Sequence, residues 1–128
     1  MLNLTYYEML ALSTAGFFLS KYEPFGYTPL EAAAYMSISF TSDYSGFGQY
    51  LLNDYKDGYK GVFVERMLGR KRDDCITQTA KDMLKIVLMD DDDLLKLKIA
   101  ANELANQFGW DKFLPVYLEA YDAALKRL

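Results

Sequence analysis

Apolar and polar residues alternate in short, distinct blocks along the first half of the chain, and the spacing within each block assigns an element. In "TYYEMLALS" the apolar positions Tyr6, Met9, Leu10 and Leu12 are spaced for a short helix. "GFFLS", Gly16 to Ser20, is a short unbroken apolar run and predicts a buried strand. After the loop "KYEPFGY", the stretch "PLEAAAYM" predicts a helix, with Thr28 as its N-cap, Pro29 at its first position and Glu31 at the capping-box distance from Thr28. "SISFTS", Ser37 to Ser42, alternates bulky and small polar residues and predicts a second strand. "DYSGFG" is a loop, "GQYLLNDY" a short helix, "KDGYKG" a turn and "GVFVE", Gly61 to Glu65, a third strand.

From about Asp73 the period lengthens. Ile76, Ala80, Met83, Leu84 and Val87 form one helical stripe, and Leu94, Leu95, Ile99, Leu104 and Phe108 a second, stopped by Gly109. A last helix starts near Asp111, with Pro115 within its first turn or so and Trp110 and Phe113 as core anchors. Strand, helix, strand, helix, strand and then three helices is an α/β order. Short apolar strands with helical connections predict a parallel sheet with right-handed crossovers. The expected fold is half of a doubly wound, Rossmann-like domain, with three short parallel strands and a helical C-terminal tail. It forms a single partial domain, residues 1–72 being the Rossmann-like half and 73–128 the tail.

Composition narrows the chemistry. The chain has 128 residues, 52% of them hydrophobic, enough for one core. Net charge is −4, which argues against nucleic acid, and "RKR", Arg70 to Arg72, is too short to reverse that and reads as a solvated loop. There is no histidine, which removes histidine-based triads and zinc sites together. The single cysteine, Cys75, excludes an internal disulfide and suggests a reducing compartment. No apolar run reaches the roughly 18 residues that span a bilayer, and the first residues lack a secretion signal. A cytoplasmic chain is expected. The four aspartates Asp90 to Asp93 read as a helix break with acids at the next N-terminus.

The candidate site is the loop before the second predicted helix. In doubly wound sheets, ligands gather where strands end and helices begin. Gly26, Tyr27 and Thr28 bring backbone amides to a helix N-terminus suited to a phosphate. Glu23 and Glu31 stand on either side of it, where each could meet the hydroxyls of a sugar. Spacing alone favours the plainer reading, a capping box from Thr28 to Glu31 with Glu23 as a solvent-exposed loop acid.

"YEPFGYTPLEAAAY" followed by "TSDYSGFG" resembles the C-terminal domain of glycogen synthases of the UDP-glucose-using type, which are retaining glycosyltransferases of GT-B architecture. The family motif is Glu-Pro-Trp-Gly-Tyr-Thr-Pro with a second Glu eight positions after the first, and Phe25 stands here where Trp is usual. The resemblance is strongest over Tyr22 to Gly48 and extends loosely over nearly the whole chain. It implies that Glu23 sits beside the transferred glucose as the catalytic carboxylate. Phe25, Gly26 and Tyr27 would line the donor site, Thr28 would contact the diphosphate, Glu31 would bind ribose and Tyr6 would stack on uracil. It implies no cofactor and no metal, and UDP-glucose and a glucan as substrates of the full-length enzyme.

The departures are equally specific. The Arg and Lys that neutralise the leaving diphosphate in the family have no counterpart, nor does the acceptor-side domain. The arginine-rich regulatory helix of fungal and animal members corresponds to "LLKLKIAANELANQF", whose basic residues are Lys96 and Lys98 alone. These features imply a C-terminal fragment, inactive by itself, or a truncated relative serving as a binding or oligomerisation module. A nucleotide-sugar domain of another GT-B enzyme is a third reading. The strand "GFFLS" would present an open edge, so a homo-oligomer or pairing with another chain is expected.

Overall fold

The computed structural model describes residues 3–53, 55 and 61–127. The elements run α1 (Tyr6–Leu12), β1 (Ala15–Phe17), α2 (Tyr27–Ala34), β2 (Ile38–Ser42), α3 (Gly46–Asn53), β3 (Val62–Glu65), α4 (Arg72–Val87), α5 (Asp91–Ala105), a 3₁₀ turn (Asn106–Phe108) and α6 (Trp110–Leu125). The strands form one parallel sheet in the order β1-β2-β3. This is the α/β half-domain expected from the block pattern. The turn expected at "KDGYKG" lies mostly outside the described residues.

β2 is central and buried on both faces. Ile38 and Phe40 point to one side, where Phe40 stacks between Phe17 (4.3 Å) and Phe63 (4.8 Å) in a row crossing all three strands. Ile86 of α4 and Leu94 and Leu97 of α5 close over this row. Ser39 and Thr41 point to the other side, where their small side chains let helices approach closely. There the Ser39 hydroxyl donates to the Pro29 carbonyl (2.8 Å), and Ala33, Phe47, Leu51 and Val62 make a second core with Ala101 and Leu104. Helices therefore cover both faces. α5 contributes to both clusters because it passes the N-terminal edge of the sheet. It packs against Gly61, just before β3, and Asn102 donates to the Ala34 carbonyl (2.6 Å).

Several expectations are corrected. β1 is three residues long rather than five, because after Phe18, which still donates to the Phe40 carbonyl (2.8 Å), the chain leaves the sheet to form the motif loop. The expected stripe of α4 is not its buried face. Cys75 and Ile86 turn inward, while Ile76, Leu84 and Val87 are exposed. In α5, Leu95 and Ile99 are exposed and Ala101, Leu104 and Ala105 are buried, since close packing on the edge at Gly61 admits alanine rather than a large side chain. Trp110 is 69% exposed, leaning on Tyr117 rather than anchoring a core, and α6 has no buried residue. Pro115 falls in the second turn of α6, which begins at Trp110. The aspartate run behaves as read: Asp90 is the N-cap of α5 and its side chain accepts from the Asp93 amide (2.9 Å). No described helix is long and apolar enough to cross a membrane.

Candidate functional site

The C-terminal ends of the three strands deliver three loops to one edge, and polar contacts join them. The Ser42 hydroxyl donates to the Ser20 carbonyl (2.7 Å), linking the loops after β1 and β2. The Asp43 carboxylate, almost fully buried, accepts from the amides of Met67 (2.8 Å) and Leu68 (3.0 Å), linking the loops after β2 and β3. An ionised acceptor makes these stronger than neutral bonds. Ser45 closes the group, its hydroxyl shared with Thr41 (2.8 Å) and accepting from the Gly48 amide (3.0 Å) at the start of α3.

The two motif segments are held side by side by backbone. Glu23 forms an isolated parallel bridge with Ser45, the Gly46 amide donates to the Glu23 carbonyl (3.1 Å), and the Phe47 amide donates to the Phe25 carbonyl (2.7 Å). Gly46 has to be glycine for this approach, since a Cβ there would collide with the Pro24 carbonyl oxygen. The glycines of "SGFG" thus serve backbone packing. The turn then enters α2 through Gly26, whose φ of 106° is a left-handed conformation that favours glycine.

Gly26, not Thr28, is the N-cap of α2. The expected Thr28–Glu31 capping box does not form, because helix geometry already begins at Tyr27 and places Thr28 inside the first turn. No side chain caps the helix start, so its first amides are left without the partner a Ser, Thr or Asp cap would give them. The capping box lies in α1, where the Thr5 amide donates to Glu8 Oε2 (2.8 Å) and the Glu8 amide to Thr5 Oγ1 (3.3 Å). Its signature, "TYYE", stands in the sequence and marks this helix start.

Glu31, freed from capping, accepts a hydrogen bond from the Tyr6 hydroxyl (2.8 Å). Desolvation and this bond to a carboxylate push the Tyr6 phenol up to about 12. Tyr7 stands edge-on to Tyr6 and stacks on Tyr35 (5.2 Å, 24°), so an aromatic cluster fixes α1 beside α2. Glu23 is half-buried, its Cγ 3.5 Å from where a Cβ of Gly26 would stand. Phe25 packs inward on Phe47 and touches Tyr27 (5.0 Å), while Tyr27 and Thr28 face solvent. The structure thus joins Tyr6 to Glu31, and Glu23 to Gly26, around one helix N-terminus. Asp43 and Ser45, which hold these loops in place, were not singled out from the sequence, where short polar residues after a strand carry no distinguishing signal. Among the described residues no group of acids or cysteine forms a metal cluster.

A parallel α/β half-sheet with helices on both faces, its loops converging at the strand ends, defines a Rossmann-like half-domain. A family profile described as glycogen synthase matches residues 1–128, and the chain belongs to that family. It is 29% identical over 128 residues to a glycogen [starch] synthase of Dictyostelium discoideum, covering 99% of this chain and 15% of that protein. It is 27% identical to one from Neurospora crassa and 28% identical to isoform 2 from Saccharomyces cerevisiae, covering 98% of this chain and 18% of the relative in each case. The chain therefore spans less than a fifth of the length of these relatives.

Proposed function

We propose that this chain is the C-terminal part of the donor-binding domain of a glycogen synthase-like glycosyltransferase, which transfers glucose from UDP-glucose to an α-1,4-glucan with retention. The observation that carries this reading is the Tyr6–Glu31 hydrogen bond. It sets an exposed aromatic ring beside a carboxylate, as a base lies beside its ribose in uridine. Tyr6 stacks on the uracil, and the Glu31 carboxylate accepts from ribose hydroxyls through lone pairs that Tyr6 leaves open. The uncapped start of α2, at Gly26, Tyr27 and Thr28, faces the diphosphate, where amides and the helix dipole favour negative charge. Phe25 supports this turn from beneath. Glu23 stands beside the transferred glucose and stabilises positive charge developing at its reacting carbon as the bond to the diphosphate breaks.

By itself the chain binds the nucleotide without transferring glucose. Transfer requires cationic groups on the leaving diphosphate and an acceptor hydroxyl held against the reacting carbon on the leaving group's own face, as retention demands. A binding or assembly module is the second reading, favoured by the outer strand β1 and the exposed apolar side of α6.

Calorimetry with UDP on the chain tests the proposal. Saturable binding is expected, weakened about tenfold or more by Glu31→Ala, as the loss of hydrogen bonds to a charged group predicts. Absence of UDP binding, or an affinity unmoved by Glu31→Ala, overturns the assignment.

A further inference from the structure

The stripe Ile76, Ala80 and Met83 has core character in the sequence, yet the fold leaves it as one wall of an open hollow of about 760 Å³. The hollow lies on the α4 side of the strand ends, where Leu19 and Met67 complete its apolar lining. Three cations border it: Lys21 from the loop after β1, Arg70 from the loop after β3, and Arg72 from the first position of α4. They come from two segments, the loop after β1 and the turn into α4, and the two ion pairs among the described residues, Lys85–Asp82 and Lys96–Asp93, involve none of them.

We propose that this hollow binds a small organic anion with an apolar body, of the aryl or alkyl phosphate class, at a site separate from the motif turn. The size falls within the roughly 300–1,000 Å³ of small-molecule sites, which favours a small ligand over a protein segment. The lining divides in two chemically. The apolar wall takes up hydrocarbon, and the cations that border the hollow pair with a charged head. Guanidinium forks suit phosphate oxygens in paired contacts, and an apolar wall lowers the local dielectric and strengthens them.

Asp43, Asp73 and Asp74 leave this charge uncancelled, and of the three cations Glu65 acts on Arg70 alone. Asp43 is committed to the Met67 and Leu68 amides, and Asp73 and Asp74 of the first turn of α4 do not line the hollow. Glu65, behind Thr79, is buried, and Arg70 is among the charges it feels.

The proposal stands apart from nucleotide binding at Tyr6 and Glu31, and its test uses different groups. The full chain, carrying isotope-labelled Ile and Met methyls, is titrated with 1-naphthyl phosphate and followed by NMR. Saturable shifts centred on Ile76 and Met83 are expected. Inorganic phosphate and 1-naphthol, each carrying half of the ligand, should bind about tenfold more weakly or worse, the loss expected when charged hydrogen bonds or the apolar contact are removed. Arg70→Gln with Arg72→Gln should give a similar loss. Ala80→Trp, at an exposed helical position on the hollow's wall, should block it without reversing charge, and serves if the double variant fails to fold. The proposal is overturned if 1-naphthol binds as tightly as its phosphate, if shifts centre on α6, or if neither variant changes the affinity. An acidic amphipathic peptide that binds the same methyls more tightly than 1-naphthyl phosphate also overturns it, reassigning the hollow to a protein partner.

Discussion

The Tyr6 hydroxyl donates a 2.8 Å hydrogen bond to the Glu31 carboxylate across 25 positions of sequence. It ties α1 to α2 and orients both groups proposed to hold a nucleoside. The phenol, pushed up to about 12 by desolvation and then by Glu31, should ionise well above the ordinary tyrosine range. In a ring-labelled NMR titration, Tyr6→Phe should remove the resonance titrating near that value, and Glu31→Gln should return it toward the ordinary range. Because the folded value is raised, the bond's contribution is complete below pH ~10 and is lost as pH climbs toward the folded value. A Tyr6 resonance titrating near the ordinary phenol value of about 10 would contradict the geometry.

Gly46→Ala should be among the most disruptive single-methyl changes in the chain. The added Cβ meets the Pro24 carbonyl, a backbone atom with no rotamer to escape through. A destabilisation of about 1–3 kcal/mol in urea unfolding is expected, together with weaker UDP binding as the turn at Gly26 shifts. Unchanged stability would mean that the two motif segments do not meet as described.

Asp43→Ala removes the acceptor for the Met67 and Leu68 amides and should cost about 1.5–3 kcal/mol, the range for hydrogen bonds to a charged group. Amide exchange should accelerate first at those two positions. Uniform acceleration along the chain would instead point to a general loss of stability.

Glu65 is buried at the end of β3 with Oε1 lacking a hydrogen-bond partner. Burial, reinforced by Asp82, pushes its carboxyl up, against the pull of Thr79, Lys85 and Arg70. An acid raised on folding binds its proton more tightly in the native state, so stability should fall as pH rises from the unfolded value through the folded one. Glu65→Gln should have the higher melting temperature at pH 7, and the difference should close near pH 4. A constant difference across that range would exclude Glu65 as its source.

β1 is an outer strand. Phe18 N–H and Thr14 C=O bond toward β2, so in a parallel ladder the amides of Ala15 and Phe17 face outward. Self-association through this edge is expected, visible as concentration-dependent sedimentation, and Ala15→Pro should suppress it by removing an outward donor without breaking the ladder. A monomer at every concentration would refute it.

The sequence by itself determined the order and type of the elements, the parallel sheet and the motif's place between β1 and α2. These are local matters: strands and helices differ in period, and turn residues punctuate them. The tertiary structure decided which side of each helix is buried. Ile76 and Ala101 show this most clearly, since side chains are selected by the distance to the neighbouring element, not by hydrophobicity alone. It also decided what Glu31 does. Helical spacing offered Glu31 to Thr28, but the left-handed Gly26 starts the helix earlier, and the carboxylate meets Tyr6 instead. That contact depends on how α1 packs on α2, and no pattern within either segment contains it.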